Sequence, residues 1–256
     1  MQSVKRILFK LLGEEKYLKL LNRGFFAAYN TGILKRNYRY KYHYYVHNLI
    51  KKGDHVVDLG ANLGYYTGLF SKWAGKHGKV IAIEPVPLYM KVIRWATRNC
   101  KNVQLVPYAL GKENKKIHMV TPFHYGYLRA GLSQVHDEKS GEKPENYEFS
   151  FEADMVKAAD LFAGFERLDY FKCDIEGYEI VVLPEIMNTL LKFKPIVQLE
   201  TWGDQKEKVE QLLADNGFEK YQLNDTKLEK VLPGMTELHG DFIFFHKDKR
   251  YDTHSI

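Results

Sequence analysis

Residues 56–70, VVDLGANLGYYTGLF, constrain the fold more than any other stretch of the chain. An apolar run holding one acid passes through a glycine-framed loop into a segment with Tyr66, Leu69, Phe70 and Trp73 at helical spacing, which Gly75 and Gly78 end. Strand, loop and helix in this order open a βαβ unit. Gly60 and Gly64 let a ligand come close, and a strand that feeds a helix through small residues tends to point backbone N–H groups at something anionic or polar. A dinucleotide, a phosphate or S-adenosylmethionine would each suit such a loop.

The rhythm repeats. KVIAIEP reads as a second strand ending in Glu84 and Pro85, LYMKVIRWATRNC as a second helix and NVQLVPYAL as a third strand, so a parallel sheet with right-handed crossovers is expected. RLDYFKCDIEG gives a later strand and YEIVVLPEIMNTLLKF a helix in which Pro184 should begin a turn or a kink. KPIVQLET is another strand, DQKEKVEQLLADNGF a helix closed by Gly217, and EKYQLND with GDFIFFHKD a closing pair. The expected fold is an α/β sheet of about seven mostly parallel strands with helices on both faces. Residues 112–160 interrupt it: KKIHMVTP and NYEFSFEADMV read as an inserted hairpin with a mobile tip, placed to shape an acceptor site. The expected organisation is a helical extension over 1–50, a main domain over 51–247 and a tail over 248–256.

Charge is unevenly spread. Up to Gly53 there are twelve Lys or Arg against Glu14 and Glu15, a balance of +10, while the rest carries 26 basic and 30 acidic residues. LKRNYRYKYHYYVHNL mixes these cations with five tyrosines. Three readings fit: tyrosines packed on the domain under solvated cations, the mouth of a site for phosphorylated or sugar-rich acceptors, or a patch resting on anionic lipid. Val4, Leu8, Leu11 and Leu12 with Lys5, Arg6 and Lys10 between them would form an amphipathic first helix suited to peripheral membrane contact. No window reaches the roughly 18 apolar residues of a membrane span, and the N-terminal run is too broken by charge for a signal peptide. A cytoplasmic protein, with possible membrane association, is expected. Cys100 and Cys173 are the only cysteines, too few for a disulfide framework and wrongly spaced for zinc.

Chemistry is expected where strands end, because ligands of open α/β sheets bind outside the carboxyl ends near the switch point. Asp58, Glu84, Asp174 and Glu200 each close a hydrophobic run there. A buried acid costs several kcal/mol without a partner, so four in one chain favour a site over four helix caps. Glu84 is placed to accept ribose hydroxyls, which fits NAD or S-adenosylmethionine. The loop separates the two. Gly60-Ala61-Asn62-Leu63-Gly64 is G-x-x-x-G and lacks the middle glycine that admits a pyrophosphate, while Asp58 suits an ammonium group better than a diphosphate. S-adenosylmethionine is favoured.

VVDLGANLGYYT, IAIEPVP, VPYALG, LDYFKCDIEGYE and IVQLET, in this order, resemble the FkbM-type family of S-adenosylmethionine-dependent methyltransferases over roughly residues 52–246. The resemblance implies a class I methyltransferase fold, which is Rossmann-like, and methylation of hydroxyl oxygens on sugars, glycolipids or secondary metabolites. It also implies that Asp58, Gly60, Asn62 and Gly64 line the methionyl and ribose side and that Glu84 takes the ribose hydroxyls. Pro85 and Val86 would flank the adenine, with Tyr108 and Ala109 as its other wall. Cys173 and Tyr178 depart from the family pattern, and neither is expected to touch the donor.

Methyl transfer from a sulfonium needs alignment and a way to remove the hydroxyl proton. Asp174 and Glu176 are the expected catalytic pair, and Tyr65, His124 and Glu200 the expected acceptor contacts; His136 is a further candidate base. Asp174 and Glu200 could hold Mg²⁺, but no metal is assigned. The partner expected is a small-molecule or glycan acceptor, and no nucleic acid, since no D-P-P-Y-like motif occurs and the basic patch is short. Two alternatives remain: a non-catalytic S-adenosylmethionine-binding scaffold at a membrane surface, and an NAD-dependent sugar-modifying enzyme.

Overall fold

A computed structural model describes residues 2–121, 126–139, 141–200, 203–237 and 240–249. The chain begins with helices α1 (Gln2–Leu12), α2 (Glu14–Asn30) and, after short 3₁₀ turns, α3 (Lys41–Tyr45). The alternating core follows as β1 (His55–Leu59), α4 (Tyr65–Ala74), β2 (Lys79–Ile83), α5 (Pro87–Ala96) and β3 (Val103–Val106). Four strands form a separate small sheet: β4 (Ala109–Gly111), β5 (Lys115–Thr121), β6 (Gln134–Val135) and β7 (Phe149–Lys157). Then come α6 (Ala158–Ala163), β8 (Tyr170–Cys173), α7 (Glu179–Phe193), β9 (Ile196–Glu200), α8 (Lys206–Asp215), β10 (Phe218–Asn224), β11 (Lys227–Lys230) and β12 (Asp241–His246).

The main sheet has the order β11-β10-β12-β9-β8-β1-β2-β3. β3, β2, β1, β8 and β9 run parallel, and β12 enters antiparallel between β9 and β10. This is the Rossmann-like class I methyltransferase arrangement that the resemblance implies, with β11 as an extra edge strand. The eighth strand escaped the sequence reading because Lys227–Lys230 is a short, mostly exposed ribbon with no apolar face. The inserted hairpin forms between β5 and β7, with β4 and β6 added at its edges. Its expected tip lies partly outside the described residues. Helix α7 runs through Pro184 without breaking.

Strand alternation gives the sheet two different faces. Val57, Leu59, Phe171, Cys173, Val197 and Leu199 point into one core with α6, α7 and α8. Val56, Tyr170, Ile196 and Ile243 point into the other, which α4 and the N-terminal residues Tyr42, Tyr45, Val46, Leu49 and Ile50 cover. The N-terminal segment therefore supplies part of the second core. Helix α2 also reaches the glycine loop: the buried Asn22 Nδ2 donates to the Leu63 carbonyl at 2.8 Å, and Phe25 stacks on Tyr65 at 4.1 Å. Among the described residues no helix is long and apolar enough to cross a membrane. Cys173 is fully buried and Cys100 half-buried, both unpaired.

Candidate active site

The chain order reverses between β1 and β8: crossovers from β1 lead through β2 to β3 on one side, and β8 leads to β9 on the other. At this switch point the loops after β1 and β8 almost touch. A Cβ on Gly60 would sit 1.8 Å from the Asp174 carbonyl oxygen, and Gly60 has φ +79°, so only glycine fits there. The loop spends its N–H groups inside the protein. Those of Gly60 and Ala61 both donate to the Ile83 carbonyl at 3.0 Å, that of Gly64 to Ala61, and that of Asn62 to Glu84 Oε2 at 2.8 Å. These four donors are therefore not offered to a diphosphate, a second physical reason against a dinucleotide.

Beside this closure lies an inner cavity, lined among others by Gly60, Asn62, Glu84, Pro85, Tyr108 and Ala109, with Met119, Tyr178, Asp174 and Glu176. Glu84 is oriented by two backbone N–H groups, Asn62 on Oε2 and Val86 on Oε1 at 2.9 Å, which leaves further lone pairs for a ligand. Burial nevertheless pushes its pKa up to about 8, the two N–H bonds only partly offsetting the loss of water.

A larger, more open outer cavity continues from it, sharing Gly131, Asp174 and Glu176. Its walls come from Tyr38, Arg39, Lys41, Tyr42 and His43 before the domain, from Tyr66 on α4 and from Arg129, Leu132 and Gln134 in the insertion. Glu200 and Asp241, paired across β9 and β12, complete it. His43 stacks on Tyr66 at 4.1 Å, its Nδ1 is buried without a partner among the described residues, and burial with the nearby Lys172 charge pushes its pKa down to about 3. A neutral imidazole here can accept or donate a hydrogen bond but carries no charge.

Beneath the outer cavity runs a polar row that the sheet register creates. Asp58, Lys172 and Gln198 stand opposite one another on β1, β8 and β9. Lys172 Nζ donates to Asp174 Oδ2 at 3.0 Å and lies 5.1 Å from the Tyr66 ring. Gln198 accepts from Tyr170 and donates to Tyr66 and Asp241 at 2.7, 3.1 and 3.0 Å. Burial alone would favour the neutral amine of Lys172, but Asp174, Asp58 and Asp241 outweigh it and hold the ammonium above its ordinary pKa. The carboxylates outnumber this cation. Burial, then the charges of Asp174, Glu200 and Glu179, raise the Glu176 pKa to about 8; burial, then Asp174 and Asp241, raise that of Glu200 to about 7.

The model of the FkbM methyltransferase domain matches residues 58–220, which span the glycine loop, Glu84, the insertion and the Lys172–Glu176 turn. The chain belongs to the FkbM methyltransferase family. It is a methyltransferase that uses S-adenosylmethionine. It is 24% identical over 196 residues to the methyltransferase sdnD of Sordaria araneosa, covering 64% of this chain and 73% of that protein. Among solved structures it is similar to an FkbM methyltransferase of Methylobacillus flagellatus KT at 12% identity and a TM-score of 0.49, covering 76% of this chain and 44% of that one. A fibrillarin of Aeropyrum pernix with natively bound S-adenosyl-L-methionine aligns at 12% identity and a TM-score of 0.44, over 77% of this chain and 68% of the other.

The inner cavity of this FkbM chain fits the donor. Among the described residues Asn62 Oδ1, on a lining residue, is buried and unpartnered, as is Asp58 Oδ1 nearby, and each such atom costs about 1–3 kcal/mol until something donates to it. Of the residues expected to bind the donor, Gly60, Asn62, Glu84, Pro85, Tyr108 and Ala109 line this cavity. Asp58, Gly64 and Val86 stand behind its wall. Asp58 is 0% exposed with Oδ2 accepting from Thr67 at 2.6 Å, Gly64 caps α4, and Val86 lies in the core beside α5. Asp174 and Glu176 line both cavities and Glu200 the outer one. Tyr65 reaches neither: Phe25 and the adjoining core hold it, and its neighbour Tyr66 lines the outer cavity instead. His124 lies outside the described residues, and His136 is away from both cavities, edge-on to Tyr147. Tyr178, expected to miss the donor, lines the inner cavity because the turn after Glu176 brings it back over the loop. Among the described residues no group of three or more His, Cys, Asp or Glu is arranged for a metal.

Sequence reasoning missed His43, Lys172, Gln198 and Asp241. Lys172 and Gln198 carry a signal in hindsight, as single polar residues inside apolar strands; His43 carries none beyond the tyrosine-rich composition around it.

Proposed function

We propose that the protein methylates a hydroxyl oxygen on a sugar, glycolipid or other polyhydroxylated acceptor. The observation that carries this reading is the meeting of the inner and outer cavities at Asp174 and Glu176. In it, the inner cavity holds S-adenosylmethionine, with Glu84 on the ribose hydroxyls, Asn62 and the Gly60 turn along the ribose and methionyl side, and Pro85, Tyr108 and Ala109 around the adenine. Bound there, the donor supplies an electrophilic methyl group. Asp58, one shell back, adds negative charge toward the methionyl ammonium. The acceptor lies in the outer cavity, whose tyrosines offer faces to a sugar ring and whose carboxylates accept from its hydroxyls.

Glu176 is the proposed proton acceptor. Its carboxyl, with a pKa raised to about 8, is a stronger base when ionised than an ordinary glutamate, and its ionised fraction is about one in ten at pH 7 and rises to half by pH 8. Asp174, fixed by the Lys172 ammonium, orients the hydroxyl. His43, neutral through the physiological range, adds a hydrogen bond at the rim. Peripheral contact of residues 1–50 with anionic membrane would bring this mouth to lipid-linked acceptors.

The test is Glu176→Gln. Turnover should fall roughly a thousandfold with S-adenosylmethionine affinity within a factor of about three, and the rise of rate with pH toward 8 should disappear. Unaltered turnover in Glu176→Gln would remove the assignment.

A further inference from the structure

The first 53 residues concentrate two properties that the two cavities leave largely unused. They carry a net +10 while the rest of the chain is net negative. Among the described residues they also hold Val4, Ile7, Leu11, Leu20, Ile33 and Tyr38, most of the large apolar side chains that stand exposed.

On α1 these properties sort into stripes. Leu8, Phe9 and Leu12 turn inward onto the core, where Phe9 meets Tyr17 and Phe149 edge-on at 5.3 and 5.9 Å. Val4, Ile7 and Leu11, three and four residues apart, turn outward and are 58, 57 and 77% exposed. Lys10 borders them, Lys5 and Arg6 lie further round the helix toward Tyr127 and Gly126, and the helix has no acid. An apolar stripe bordered by cations is the pattern of a helix lying in a lipid interface.

We propose that the outward face of α1 docks on an anionic lipid bilayer, with Val4, Ile7 and Leu11 at the acyl boundary, Lys10 among the headgroups, and the excess of cations in the first 53 residues drawing the segment to the anionic surface. Two observations favour a bilayer over a second copy of the chain. The stripe offers at most a few hundred Å² of apolar surface, against about 800 Å² per partner in a stable interface. A symmetric contact would also bring two segments of +10 together. The inward side of the same helix is close to the segment that leads to the outer cavity. Lys5 Nζ lies 5.9 Å from the Tyr127 ring, and Arg6 covers Gly126, in the segment that continues to Arg129 at the mouth. The link to a lipid-linked acceptor rests on the function proposed above; the docking itself does not.

The test uses the full chain, co-sedimented with phosphatidylcholine vesicles containing roughly 30% phosphatidylserine and with pure phosphatidylcholine. Binding is expected only to the anionic vesicles and should weaken at high salt. Ile7→Glu with Leu11→Glu should lower it at least about tenfold, and Lys10→Glu roughly fivefold. Both side chains of the double variant are exposed, so its unfolding temperature and its S-adenosylmethionine calorimetry should match the parent. Absence of binding to anionic vesicles, or equal binding by the double variant, overturns the proposal. So does a concentration-dependent dimer that the double variant abolishes. Calorimetry on the same samples reports on the inner cavity separately, so loss of docking and loss of the donor site are distinguishable.

Discussion

The inner cavity takes much of its wall from three strand ends: Gly60 and Asn62 after β1, Glu84 and Pro85 after β2, and Asp174 to Glu176 after β8. The outer cavity draws on residues 38–43, Tyr66, the insertion, Glu200 and Asp241, which only the finished fold brings together. The first is held rigidly by backbone. Glu84 is fixed by two main-chain N–H groups, and the Gly60 turn closes against a carbonyl with no room for a methyl group. The second is held by side chains over a row of charges, with one ammonium among several carboxylates. A backbone-built pocket suits a ligand that does not vary, whereas a wall of side chains from segments outside the parallel strands can be altered without disturbing the sheet.

Substitutions can break or sharpen this contrast. The largest effect is expected at Gly60→Ala, where the new methyl would meet the Asp174 carbonyl at 1.8 Å in a left-handed backbone. It should cost about 4 kcal/mol and abolish S-adenosylmethionine binding, by chemical denaturation and calorimetry. Retained donor affinity would show that the turn is not the donor's cradle. Lys172→Met comes next. It leaves Asp58, Asp174 and Asp241 without their shared cation, and a loss of about 3 kcal/mol is expected. That loss should grow with pH, because each remaining carboxylate then ionises against the others; a pH-independent loss would mean the row is mere packing.

Glu84→Ala should weaken donor binding by about 2 kcal/mol, some thirtyfold, and leave the acceptor KM unchanged. Tyr38→Ala, at the exposed rim, should do the reverse, raising the acceptor KM roughly fivefold with donor affinity intact. If either variant moved both constants, the two cavities would not be separate sites.

The last effect is on stability alone. Glu84, Glu176 and Glu200 have ordinary pKa values of 4.5 and folded values of about 8, 8 and 7, so the folded chain holds protons that the unfolded chain releases in that window, and His43, pushed down to about 3, only partly offsets them. The ligand-free protein should therefore lose stability as pH rises from about 5 to 8, with an unfolding temperature that falls over that interval. A rise over that interval would contradict the burial assigned to these acids.

The same contrast decides what the sequence could disclose. The glycine loop, Glu84 and the Asp174–Glu176 turn were legible because each is a local pattern at a strand end, where position follows from chain order alone. Lys172 was not, although it sits two residues before Asp174, because its meaning depends on lying opposite Asp58 and Gln198, a register that no local pattern states. Tyr65 was expected at the acceptor and Tyr66 in the buried stripe of α4, and the fold reverses their relation to the cavity. Phe25, forty residues earlier, then claimed Tyr65 for the core, while His43 joined Tyr66 at the cavity. Composition identified the tyrosine-rich segment as notable but could not divide it. Tyr42 and Tyr45 became buried, as the packed reading has it, while Tyr38 stayed exposed on the wall of the outer cavity.

The central claim is that the two cavities meet so that an acceptor hydroxyl in the outer one reaches Glu176 beside the donor. It is tested most directly by incubating the protein with methyl-labelled S-adenosylmethionine and a host extract, then locating the label in the product by mass spectrometry. The account predicts label on a hydroxyl oxygen of a polyhydroxylated molecule, as an ether that survives mild base, and no labelled product from Glu176→Gln. Label on nitrogen or carbon, or undiminished labelling by Glu176→Gln, would contradict it.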